Sequence, residues 1–171
     1  LPKQIFIFPE FLKTLAFEEL RSGFAEMLKH GLIADEKHWK DLVSIEILTS
    51  ESLFPFIETS MNIKQSVVEK DFKEQNIRKT LNFGHTIGHA VESLFLKTEH
   101  FIPHGEAVAL GMICETHLSY LEGLISEETS EHIIKNIQKF FPYIAIHEFS
   151  NEEILALMLH DKKNSQGNIK F

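Results

Sequence analysis

Apolar residues recur at helical spacing along most of this chain, and little in the sequence interrupts them. Only 8 glycines and 5 prolines occur among 171 residues, so a mainly α, multi-helix domain is the expected architecture. Leu20, Phe24, Met27 and Leu28 fall at i, i+4, i+7 and i+8 and predict a helix over 17–33. Weaker patterns predict helices over 36–49 and 56–68, the second with Ile57, Met61, Lys64 and Val68 on one face. A polar run over 69–76 reads as a loop. Phe83, Ile87, Ala90, Val91 and Leu94 then mark a helix over 81–96, and Ala107, Leu110, Gly111, Cys114 and Leu118 mark another after Pro103. Ile133, Ile137 and Phe140 define a shorter helix. Ser150, with Glu153 three residues on, forms a capping box that opens one carrying Ile154, Leu157 and Met158. The exceptions are Gln4-Ile5-Phe6-Ile7-Phe8, which reads as a short N-terminal strand closed by Pro9, and the tail over 162–171, which reads as a loop.

No repeat or linker divides the sequence, and one domain over 1–171 is expected. The net charge of −8 argues against nucleic acid or an anionic membrane as partner, because either needs a basic face. No apolar run approaches the roughly 20 residues of a membrane span, and no export signal is visible, so a cytoplasmic protein is expected. The lone Cys114 fits a reducing compartment. Ten histidines is a high number, and several of them stand beside Gly, Asn or Glu.

On one continuous helix, Arg78, Asn82, His85 and His89 would fall within roughly 60° of arc, apart from the apolar stripe. Gly84 and Gly88 each cost such a helix about 1 kcal/mol, so close approach by another element is expected. His85 and His89 at i, i+4 could share one metal, or could be core or capping histidines bonded to carbonyls. Thr86 stands where a zinc protease helix needs its glutamate, which excludes that class. Pro103-His104-Gly105-Glu106 sets another histidine at a helix start, with a glycine that allows close approach. Glu26 and Lys29, at i, i+3 with His30 adjacent, would in isolation read as a solvated ion pair.

Three strings, Gly23-Phe-Ala-Glu26-Met-Leu-Lys29-His-Gly31, Arg78-Lys-Thr-Leu-Asn82-Phe-Gly84-His85-Thr-Ile-Gly88-His89-Ala90 and His104-Gly105-Glu106-Ala-Val-Ala-Leu-Gly111-Met112, closely resemble 3-dehydroquinate synthase. The resemblance extends from about Pro2 to the end of the chain. It implies the helical C-terminal domain of a two-domain enzyme that converts 3-deoxy-arabino-heptulosonate 7-phosphate to 3-dehydroquinate and phosphate in the shikimate pathway. It implies a divalent metal, usually zinc, with cobalt or another ion possible, held by Glu26, His85 and His104. His89 then becomes a proton-transfer or substrate-binding residue and not a ligand. Lys29, Lys64, Arg78 and Asn82 match family substrate-binding positions, as does Lys162 or Lys163. Glu74 matches a residue assigned acid–base work.

In that family NAD is held mainly by an N-terminal α/β domain. This chain has no Gly-x-Gly fingerprint, so the resemblance implies that the NAD-binding domain is absent here and that the fragment alone is inactive. Family members often pair, so a homodimer is possible. A sister sugar-phosphate cyclase and a non-catalytic helical zinc-binding module also remain open.

Overall fold

A computed structural model describes residues 3–4 and 6–160. Among them are seven α-helices: α1 (Phe17–Ala34), α2 (Glu36–Val43), α3 (Ser50–Lys70), α4 (His85–Phe95), α5 (His104–Leu121), α6 (Glu127–Gln138) and α7 (Asn151–His160). Two 3-10 segments, Pro9–Thr14 and Ile77–Asn82, precede α1 and α4. The mainly helical architecture is as expected. The short N-terminal strand is not: among the described residues there is no strand, and the extended backbone around Phe6 to Phe8 therefore has no strand to pair with.

Two boundaries moved for reasons of capping. The helix predicted from residue 56 opens six residues earlier, because Thr49 and Ser52 form a reciprocal capping box and Leu53 is buried at 2% exposure. Pro55 is carried inside its second turn. The helix predicted to reach residue 49 stops at Val43, after which Lys139 Nζ donates to the carbonyls of Val43 and Ile45. The Ser150–Glu153 capping box forms as expected.

The larger correction concerns the polar stripe. Arg78 and Asn82 do not share a helix with His85 and His89, because the chain breaks at Gly84, whose φ of 78° is left-handed. The core lies beside this break. Phe24, Leu28, Leu42, Val108, Met112 and Ile137 are fully buried between α1, α2, α5 and α6. A smaller cluster of Val91, Phe95, Ile102 and Ala107 joins α4 to the start of α5. No described helix is long and apolar enough to cross a membrane.

Candidate metal and substrate site

Two helices touch backbone to backbone where the site is built. A Cβ at Gly88 would stand 2.9 Å from the Ala107 carbonyl oxygen, and one at Gly111 would stand 1.9 Å from that of Gly84. These glycines let α4 settle directly on α5, which is the close approach expected for Gly84 and Gly88. Gly105 does the same against α1: its N–H donates to Ser22 Oγ at 2.7 Å, and a Cβ there would lie 2.3 Å from the Ser22 backbone. Beside this contact Arg21 donates to the buried Glu106.

That packing brings the side chains of α1, α4 and α5 to one point. The rings of His85 and His89 have centroids 5.1 Å apart, and both lie near His104, at 5.6 and 5.7 Å. A ligand nitrogen from each lies within 4.8 Å of those of the other two. Glu26 Oε1 is 3.3 Å from His85 Nε2, while Glu26 Oε2 accepts from Lys29 Nζ at 2.7 Å.

Hydrogen bonds behind the rings fix what faces inward. His85 Nδ1 lies 3.2 Å from the Phe83 carbonyl, which can only accept, so Nδ1 donates there and Nε2 faces Glu26. Nε2 and Glu26 Oε1, 3.3 Å apart, leave room for a proton or a cation between them. The spacing equals the edge of a tetrahedron of ligands around an ion about 2.0–2.1 Å from each, roughly 3.3–3.4 Å. His104 is held the same way by a residue that sequence reasoning missed: Glu92 Oε2 lies 3.1 Å from its Nδ1. This carboxylate–imidazole arrangement is the usual support of a metal-binding histidine. Glu92 could have been found by extending the His85, His89 stripe one more turn along α4.

Electrostatics separate two buried acidic residues, Glu26 in the cluster and Glu115 behind the turn that carries His85. Burial works to raise the Glu26 carboxyl, but its contact with His85 and the Lys29 charge outweigh it and hold the group well below the usual carboxylate range. Glu115, 3% exposed, is pushed up to about 7 by burial, against the N–H groups of Gly84, Ile87 and Thr86 that face it. Lys29 is itself only 2% exposed, so its pairing with Glu26 is not the solvated surface pair that the sequence alone suggested.

The substrate candidates form a second group. Asp71 accepts from the backbone N–H of Gln75, Asn76 and Arg78, at 3.0, 2.6 and 3.1 Å, and so shapes the loop before Ile77. Within that loop Glu74 adopts φ 56°, and its carboxylate receives Asn82 Nδ2 at 2.9 Å and faces Arg78 Nε at 3.9 Å. Arg78 Nη1 donates to the Phe72 carbonyl. Lys64, exposed on α3, lines a cavity of about 300 Å³ shared with Glu26, His30 and Ser60 and closed on its apolar side by Ile7, Phe8 and Leu12. His30 is 4% exposed, with Nδ1 on Ser60 Oγ at 2.7 Å. Burial and the nearby Lys29 charge lower its pKa to about 4. Lys162 and Lys163 lie outside the described residues.

Comparisons with known proteins give the family of the chain. Residues 23–164 match the family described as 3-dehydroquinate synthase C-terminal. The 3-dehydroquinate synthase of Parabacteroides distasonis is 41% identical over 174 residues, covering 99% of this chain and 49% of its own. That of Chlamydia caviae is 38% identical over 180 residues, covering 95% and 47%. The chain thus spans about half the length of the curated relatives it matches. Among solved structures, 2-deoxy-scyllo-inosose synthase complexed with carbaglucose-6-phosphate, NAD+ and Co2+ superposes with a TM-score of 0.72 at 26% identity, over 91% of this chain and 44% of that one.

Fold and relatives together define a helical domain of the kind found in 3-dehydroquinate synthases and in 2-deoxy-scyllo-inosose synthase. Within that class, the chain belongs to the 3-dehydroquinate synthase C-terminal family.

Proposed function

We propose that this chain is the metal- and substrate-binding domain of a 3-dehydroquinate synthase, acting on 3-deoxy-arabino-heptulosonate 7-phosphate to give 3-dehydroquinate and phosphate. The observation that carries the reading is the Glu26–His85 contact at 3.3 Å, with a second histidine, His104, beside it on the Glu92 carboxylate. Glu26, His85 and His104 would hold the ion. When bound, a divalent metal supplies Lewis acidity that lowers the cost of ionising a coordinated hydroxyl. Zinc and cobalt both suit this mixed oxygen and nitrogen set. Support for a divalent metal comes from the Co2+ named with the solved relative.

The other residues then act on the substrate directly. Arg78 and Lys64 present positive charge to the phosphate and carboxylate of a sugar acid, Arg78 with a planar fork suited to bidentate contact. Asn82 orients a hydroxyl, and Glu74, which already receives Asn82 Nδ2, accepts or returns a proton next to it. Lys29 neutralises one oxygen of Glu26 and adds positive potential beneath the substrate. His89, one turn beyond His85, exchanges a proton with the substrate and leaves ligation to its neighbours. Lys162 or Lys163 adds a further cation.

NAD enters this reading through a partner domain of the same enzyme, and the NAD+ named with the solved relative supports it. The 171-residue chain is one domain in this reading, working in the cytoplasm within a homodimer. A sister sugar-phosphate cyclase shares the fold, but identity of 41% to a named 3-dehydroquinate synthase against 26% to 2-deoxy-scyllo-inosose synthase favours the first substrate.

The test is to join the chain to an N-terminal dinucleotide domain from a relative and supply NAD, zinc and the heptulosonate phosphate. Phosphate release and carbocycle formation are expected, with none from the chain alone. Failure to release phosphate, with metal and substrate both bound, would sink the assignment. Turnover by the chain alone would contradict the division of labour.

A further inference from the structure

The turn between Asn82 and His85 joins the two groups of functional residues, and α5 holds it at two places. Gly111 allows the Gly84 carbonyl to lie against the helix, with no room for even a methyl group between them. One turn further along α5, Glu115 Oε2 accepts the Gly84 N–H at 2.8 Å, and the N–H groups of Thr86 and Ile87 face the same carboxylate. These donors open α4, whose N-cap is a glycine with no side chain to offer. Glu115 therefore does from a neighbouring helix what a capping side chain ordinarily does from within. It is 3% exposed and pairs with no arginine or lysine in a described salt bridge. A carboxylate is costly to bury, and this one is spent on the backbone of the turn.

From this geometry we infer that Glu115 is a positioning residue of the site: by gripping the Gly84 turn, it fixes His85 and His89 relative to Asn82 and Arg78. Glu115 reaches neither metal nor substrate and acts through the turn. The functional consequence rests on the reading of His85 as a metal ligand, while the grip on the turn does not.

The test compares the wild-type chain with Glu115→Ala and Glu115→Gln. Three properties are followed: amide hydrogen exchange by residue, the ¹⁵N signals that report the His85 tautomer, and Co2+ affinity by titration. Glu115→Ala is expected to speed exchange at Thr86, Ile87 and Gly88 about tenfold, the scale of a lost helix cap. It should also mix the His85 tautomers and weaken Co2+ by a similar factor, while exchange in α6 stays as in the wild type. Glu115→Gln keeps an acceptor oxygen and should recover most of the exchange protection and the single tautomer. Unchanged exchange and ring signals in Glu115→Ala would overturn the inference, as would faster exchange spread equally over α4 and α6. If wild-type chain binds no Co2+, the metal reading falls, and the exchange and tautomer results still decide the role of Glu115.

Discussion

The ring cluster and the Arg78–Asn82 group meet at Gly84 but are built in opposite ways. His85, His89 and His104 stand on α4 and α5, which are packed so closely that a methyl group at Gly111 would overlap the Gly84 carbonyl. Glu74, Arg78 and Asn82 stand on a loop and a six-residue 3-10 segment with no buried residue, shaped by the single carboxylate of Asp71. Helix packing fixes distances to a fraction of an ångström, as an ion's ligands demand. A loop tied by a few hydrogen bonds can adjust as substrate enters. Rigid and adjustable halves thus match the two tasks proposed for them.

The two halves should therefore fail differently. Gly111→Ala forces α4 away from α5 and should cost about 3 kcal/mol, the upper range for overpacking. Urea unfolding measures this, and a loss within 0.5 kcal/mol of zero would refute the close-packed picture. Glu92→Ala removes the partner of His104 Nδ1 and should weaken Co2+ or Zn2+ by about 10–100-fold, with the unfolding midpoint near that of the wild type. Calorimetric titration checks it, and undiminished affinity would deny Glu92 its supporting role. Asp71→Asn should cost only about 1 kcal/mol and weaken binding of a phosphorylated sugar acid while leaving metal affinity alone. An equal fall in metal affinity would show that the halves are not separable.

The smallest effect concerns pH. With chelator present, His30 and Glu115 bend the stability curve in opposite directions. The His30 pKa falls from 6.5 to about 4 on folding, so its contribution is present above pH 6.5 and is lost as pH drops through 4. That of Glu115 rises from 4.5 to about 7, so the folded chain gains protons relative to the unfolded one and loses stability as pH rises from 4.5 to 7. Between pH 4.5 and 6.5 the two largely offset each other. Glu115→Gln should expose the His30 slope as a loss of stability toward acid. His30→Gln should expose the opposite slope. Parallel curves for the two variants would mean that neither burial acts as described.

Helix content and the pairing of His85 with His89 could be read from the sequence, because both depend on spacing along single helices. Glu26, His85 and His104 entered through resemblance, and α1, α4 and α5 bring them together. What spacing could not supply was the break at Gly84. A glycine within a helical pattern is tolerated, so Arg78 and Asn82 seemed to continue the His85 stripe. The left-handed turn is received by Gly111 and Glu115, about thirty residues away in sequence. Long-range partners of this kind leave only a faint local mark, here a charged residue one turn beyond a buried glycine on α5. The N-terminal alternation at residues 4–8 misled for the converse reason, since a strand needs a neighbour and no described segment supplies one.

The central claim is that Glu26, His85 and His104 hold one ion while His89 does not. Zinc content after saturation and removal of free metal tests it directly, by elemental analysis of the wild-type chain and of His85→Ala, His104→Ala and His89→Ala. One zinc per chain is expected in the wild type and in His89→Ala, falling to near zero in the other two. Loss of zinc from His89→Ala, with retention by His85→Ala or His104→Ala, would contradict it.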